Sequence, residues 1–248
     1  MAQPRHLPNA PITEAVIDLR IDPASNVTVE ALDHALTARG NLGYTKKGSI
    51  VRSEFGFVQA GAQVVTHAER PTAIGVRLHS ADEKYVAQLS VEGFTLSRLQ
   101  PYESWEGLVG EARRLWQGYV ECVEPRQISR VATRYINNLR LPPTPNLEHY
   151  LDFLPAIPAG LPETLSSFLQ RLVIHDAETE ATVILIQALA GELSVEAPLP
   201  IILDIDAFRS TAFPVNSSIV WGYLARLRGL KNRVFFGCLK EEAVRLYL

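Results

Sequence analysis

Cysteine is nearly missing from this chain: only Cys122 and Cys238 occur, far apart, so neither a disulfide framework nor a paired-cysteine metal site is available. Each falls in an apolar helical pattern, which predicts two reduced thiols at the core. Charge of one sign is missing as well. The 24 basic and 27 acidic residues leave a net charge of -3, which excludes broad attraction to nucleic acid or anionic lipid and leaves room only for a local basic patch. No run reaches the about 18 apolar residues of a membrane span, and residues 1–10 lack the apolar stretch of a secretory signal. The expected location is therefore the cytoplasm.

Functional motifs are absent too. The 15 glycines never form a dinucleotide or phosphate loop or a G-x-S-x-G elbow, so no cofactor is expected. The six histidines never stand four apart on a helix, which argues against a metal centre. Aromatic residues are only 8%, and Phe55 and Phe57 lack the basic and glycine-rich surroundings of a base-stacking platform. These gaps move the expectation from enzyme towards binding protein.

What is present is a foldable pattern. With 47% hydrophobic and 21% charged residues over 248 positions, the chain can bury a substantial core without a staple. Ala15, Ile17, Leu19 and Ile21 alternate as a half-buried strand, after which Asn26 is placed to cap a helix striped by Val29, Leu32, Ala35 and Leu36. Val51, Phe55 and Phe57 predict a further strand, and residues 74–79 another, turning at 80–83 into a returning strand. In that strand Tyr85, Ala87, Leu89 and Val91 share one face, yet Phe94 and Leu96 have the opposite parity, which predicts a bulge at Gly93. Residues 102–123 carry apolar side chains at spacings of three and four, from Trp105 to Val123, and predict a long amphipathic helix before the strand 128–139.

Three prolines within 141–145 mark a stiff connector, which suggests an N-terminal half, 1–140, and a C-terminal half, 146–248, packed as one unit. The second half repeats the order of the first. Strands are predicted over 168–175, 181–189 and 199–208, then a helix capped by Asn216 and striped by Val220, Tyr223, Leu224 and Leu227, with Gly229 a place where it can bend. The expected class is α+β: antiparallel sheets with long amphipathic helices, in an order that suggests two duplicated helix-grip-like halves, although no residue-level repeat accompanies it.

The chemically unusual stretch is the strand from Ser129 to Asn138, where Arg130 and Arg134 stand on one face. Two guanidinium groups there can grip a carboxylate or phosphate, with Asn138 on the same face and Arg98 joining them if the strands are neighbours. Pairing with acidic residues is the plainer alternative. Asp204 and Asp206 also share a strand face and are weak candidates for a divalent cation, set against salt bridges to arginine. His175 and Asp176 could act as base and orienter but fall at a predicted turn.

Three segments carry a resemblance: 7–16 (LPNAPITEAV), 94–105 (FTLSRLQPYESW) and 130–138 (RVATRYINN). Together they resemble a sporadically distributed prokaryotic family of uncharacterised proteins of about this length, one with no assigned activity. The resemblance implies an accessory gene exchanged between microbes, of the kind found in defence and toxin–antitoxin systems. The leading expectation is a non-enzymatic binding or regulatory protein acting through a protein partner or a homo-oligomer, not through nucleic acid or a membrane. The alternative is a small-ligand or anion-binding protein with an arginine-lined pocket, which leaves room for an enzyme.

Overall fold

The alternating apolar residues of the first strand place Ala15, Ile17, Leu19 and Ile21 under the helices as β1 (Ile12–Asp22), and every strand that follows in the main sheet pairs antiparallel. A computed structural model describes residues 2–23, 27–52, 55–60, 63–68, 71–143, 146–156, 158, 160, 167–189 and 197–248, with the backbone alone for 47, 55–60 and 63–68. After β1 come α1 (Val29–Ala38), β2 (Thr45–Arg52), β3 (Phe55–Ala60), β4 (Gln63–Ala68), β5 (Thr72–His79), β6 (Tyr85–Ser90), β7 (Gly93–Leu99) and α2 (Trp105–Val123). The remainder is β8 (Gln127–Leu141), β9 (Leu169–Asp176), β10 (Ala181–Leu189), β11 (Leu199–Phe213), α3 (Ser218–Gly237) and the short α4 (Glu241–Val244).

Among the described residues nine strands form one sheet in the order β2-β5-β6-β7-β1-β8-β11-β10-β9, while β3 and β4 pair with one another in a separate hairpin. The architecture is α+β. At its centre β1 lies beside β8; β7, β6 and β5 follow outward on one side, β11, β10 and β9 on the other. Each run ends in a long helix, α2 after β7 and α3 after β11, and both helices pack on the same face with α1. Phe94 of β7 meets the Trp116 ring edge-on, with centroids 5.8 Å apart, and Tyr119 donates to the Ser90 carbonyl at 2.8 Å, which fixes α2 to its half. Trp116 reaches the other half by donating to the Val215 carbonyl at 3.4 Å, and the buried apolar residues of both halves form one core. Among the described residues no helix is long and apolar enough to cross a membrane.

Several local expectations change. The parity switch near Gly93 is a hairpin and not a bulge: Val91 and Glu92 form a two-residue turn, and Ser90 pairs with Gly93. Glycine is required there by proximity, because a Cβ would stand 2.7 Å from the Leu19 carbonyl oxygen of β1. The strand expected to run from Val51 through Phe57 is two strands, β2 in the sheet and β3 in the separate hairpin. Thr28 caps α1, Asn26 lying outside the described residues, and Ser217 rather than Asn216 caps α3. Helix α3 runs unbroken through Gly229, and β11 extends to Phe213. The connector after Leu141 includes Thr144 and Pro145, which lie outside the described residues.

Candidate ligand cavity

Strand parity decides where each candidate arginine points. On β8 the odd positions Val131, Thr133, Tyr135 and Asn137 are buried under the helices, so Arg130, Arg134 and Asn138 point to the open face. There Arg130 donates to Asp18 at 2.8 Å and to Asp206 at 2.9 Å, its guanidinium lying over the Phe208 ring at 4.3 Å. Arg134 grips Asp204 through two bonds, at 2.8 and 2.5 Å. Burial pushes the Asp206 carboxyl up, with Arg130 and Arg134 pulling it back. The two aspartates thus serve as counter-ions to the two arginines. Among the described residues no group of three histidine, cysteine or acidic side chains gathers in a form that could hold a metal.

Arg98 does not join this pair. β1 lies between β7 and β8, and Arg98 stands opposite Ala15, itself opposite Tyr135, which sends its side chain to the helical face. It is 3% exposed, donates to Glu103 at 2.7 Å and lies 4.9 Å over the Tyr85 ring. Asn138 lines a separate crevice with Pro8, Pro11, Pro101 and Arg140, where its amide oxygen is buried without a partner. His175 meets Thr182 at 3.1 Å, whereas Asp176 accepts from Thr179 and Arg233, so this pair does not act as base and orienter.

The concave site lies elsewhere. Residues 2–11 are strapped over the end of α3: the Ala2 amide donates to the Leu239 carbonyl at 2.8 Å, and Arg5 bonds Glu241 at 2.5 Å. Between this strap, the segment leading into α2, β8 and α3 is a cavity of about 770 Å³, within the range of small-molecule sites. Successive inward positions of β8 supply Tyr135 and Asn137; successive turns of α3 supply Arg228, Lys231 and Phe235; Tyr102 comes from the segment before α2 and Trp105 from its first position.

Lys231 is the unusual member. It is 6% exposed, and its Nζ lies 3.8 Å from the centroid of the Tyr135 ring. Among the described residues no carboxylate lies within salt-bridge distance of it, nor of Arg228, whose guanidinium sits 5.6 Å over the Trp105 ring. Burial, with Arg228 adding to it, pushes the Lys231 ammonium down to about 7. Tyr102 and Tyr135 touch through their hydroxyls at 3.1 Å, and burial raises both phenols, so they remain O–H donors. The arrangement offers two cations lacking counter-ions, aromatic walls and hydroxyl donors.

The sequence held one signal for this site that the motif reading passed over. Lys231 continues the buried stripe of α3 four residues after Leu227 and four before Phe235. A lysine inside an apolar stripe is a buried amine unless it snorkels out.

No protein-family model matches the chain, and no curated protein matches it significantly in sequence.

Proposed function

We propose that this protein binds a small organic anion in the cavity, its apolar or aromatic body against Trp105, Tyr135 and Phe235 and its charge on Arg228 and Lys231. One observation carries the reading: two cations share a ligand-sized cavity with no carboxylate in salt-bridge range among the described residues. A buried charge without a counter-ion is costly and is relieved when an anion enters. This keeps the anion-binding expectation but moves it from Arg98, Arg130 and Arg134, whose charges are already matched, to α3.

Thermal denaturation with benzoate, phenyl phosphate and nucleoside monophosphates tests it. The expected result is stabilisation that grows with ligand concentration, about 2.7 kcal/mol at a hundredfold excess over Kd, and that is lost in Arg228→Gln. Stabilisation by none of these probes, or an equal effect in Arg228→Gln, rejects the cavity as the site.

A second reading, contact with a protein partner, is supported by β9. This strand is at the edge of the sheet, and Leu169, Leu172, Val173 and Ile174 are 74%, 38%, 49% and 39% exposed. An exposed apolar edge is a template for strand addition, and a second copy of the chain is the simplest occupant. Light scattering across a concentration series tests this: a dimer disrupted by Val173→Lys supports it, and a monomer throughout removes it. An accessory role in a bacterial defence or toxin–antitoxin system belongs with this reading. Counting β8 with the second half, which moves the expected boundary from 141–145 to near Pro125, the mirrored strand order about β1 and β8 also supports descent of two halves from one duplicated unit.

A further inference from the structure

Lys231 differs in kind from the other lysines whose side chains are described. Lys46, Lys84 and Lys240 are 37%, 39% and 40% exposed, and each lies beside a carboxylate. Those side chains reach both solvent and an acidic partner. Lys231 is buried against the wall of a ligand-sized cavity with no carboxylate within salt-bridge distance among the described residues, and burial lowers its amine to about 7, which leaves a large fraction neutral near pH 7. A neutral amine is a nucleophile, and a buried lysine beside a second cation is how a protein produces one. Arg228, one turn earlier on the same helix, is that second cation.

The other charged groups facing the cavity are accounted for. Glu103 is held by Arg98 and Lys84, Arg5 by Glu241, and Glu106 and His6 form walls outside salt-bridge distance of Lys231. None of them restores the proton by direct pairing.

Resting on the cavity being the ligand site, we propose that Lys231 is a carbonyl-capturing nucleophile, condensing reversibly with an aldehyde or ketone that also carries a carboxylate or phosphate seated on Arg228. The Nζ lone pair forms a bond to the carbonyl carbon while the C=O π pair moves to oxygen. A proton passes from nitrogen to that oxygen, giving a carbinolamine. The C–O bond then breaks, its oxygen leaving as water after taking up one more proton, and the resulting iminium returns that proton on forming the neutral imine. Amine and carbonyl become imine and water, with nothing oxidised or reduced. The phenolic O–H groups of Tyr102 and Tyr135 line the same cavity and can exchange protons during water loss.

The chain has five lysines, at 46, 47, 84, 231 and 240, so peptide mass mapping can follow each one. The full-length protein is treated with para-carboxybenzaldehyde and cyanoborohydride near pH 8, and the reduced adduct is read at every lysine. Lys231 is expected to be modified at least about tenfold faster than Lys84 or Lys240. Benzoate, which has the anion without the carbonyl, slows that labelling. Arg228→Gln slows it by a larger factor for para-carboxybenzaldehyde than for benzaldehyde, because both lose the cation that helps to keep the amine neutral and only the first also loses its anion contact. Labelling of Lys231 no faster than of Lys84 overturns the proposal. If benzoate still stabilises the wild type and not Arg228→Gln, the imine fails and the anion site stands; if benzoate neither stabilises nor protects, both fail. Measurement on the wild type decides the main point even if a variant misfolds.

Discussion

Arg134 on β8 and Asp204 on the neighbouring β11 hold each other through two hydrogen bonds, of 2.8 and 2.5 Å, on the face of the sheet turned away from the helices. Arg130 is held likewise by Asp206 and Asp18, so both arginines of this strand are neutralised by the sheet that contains them. The aspartates on β11 and the arginines on β8 are two halves of one arrangement.

Asp204 is 7% exposed, whereas the Arg134 side chain is 46% exposed, so the pair is half buried. Arg134→Ala is expected to cost about 1–2 kcal/mol, chiefly by leaving the carboxylate without its partner. Replacing both residues by alanine should cost less than the sum of the single changes. A urea-denaturation double-mutant cycle measures the coupling, and strict additivity would show that the pair contributes nothing.

Arg98 presents the opposite balance. Its partner Glu103 is exposed, yet Arg98 itself is 3% exposed and one guanidinium nitrogen already lacks a partner. Glu103→Ala removes the direct counter-ion of a buried charge and is expected to cost about 3 kcal/mol, more than a surface glutamate normally does. Arg98→Met, which removes the charge and keeps the packing, should stay within about 1 kcal/mol of wild type. The order of the two unfolding midpoints checks this; Arg98→Met proving the more damaging change rejects it.

Lys231 makes stability depend on pH in a defined direction. Its amine titrates near 7 in the folded protein and near the ordinary 10.5 when unfolded, so between these values the unfolded chain binds more protons and stability rises with pH. The penalty is greatest below about pH 7 and is relieved towards pH 10. Lys231→Met is therefore expected to raise Tm at pH 6, with the advantage shrinking as pH increases. Melting curves across that range read the gap, and a gap that is constant or widens with pH contradicts the buried-amine account.

Two glycines separate close packing from helix propensity. A Cβ at Gly75 would stand 2.3 Å from the Leu89 carbonyl oxygen and 2.6 Å from the Ser90 Cα, both backbone atoms of β6. Gly75→Ala must push strands apart and is expected to cost about 2–3 kcal/mol. At Gly118, within α2, the nearest atoms are the methyl ends of Leu42, which can swing aside. Gly118→Ala should fall within about 1 kcal/mol of wild type, since alanine favours the helix by a similar amount. Equal losses at the two sites, measured by chemical denaturation, would count against the sheet packing.

The parts of the fold that depend on local periodicity were legible. The stripe from Trp105 to Val123 is the buried face of α2, and the alternation from Ala15 to Ile21 is the inward face of β1. The hairpin at Val91 and Glu92 was misread as a bulge because a two-residue turn and a bulge both reverse parity, and only the pairing of Ser90 with Gly93 tells them apart. The candidate site was legible only in its ingredients. The arginines were found, but which carboxylates face them depends on β11 lying beside β8, some 70 residues apart in the chain.

The order of residues along the chain by itself determined most of the helices and strands of the main sheet and which face of each is apolar, but neither the break between β2 and β3 nor the strand β4, and it carries no recognisable cofactor or metal motif. Tertiary structure alone decided the strand order, the separation of Arg98 from Arg130 and Arg134 onto opposite faces, and the enclosure of Lys231 beneath the N-terminal strap. The reason is range. A side chain's direction follows from the torsions of its own residue and its neighbours, whereas its charge state and its partners depend on segments that only folding brings within a few ångströms of it.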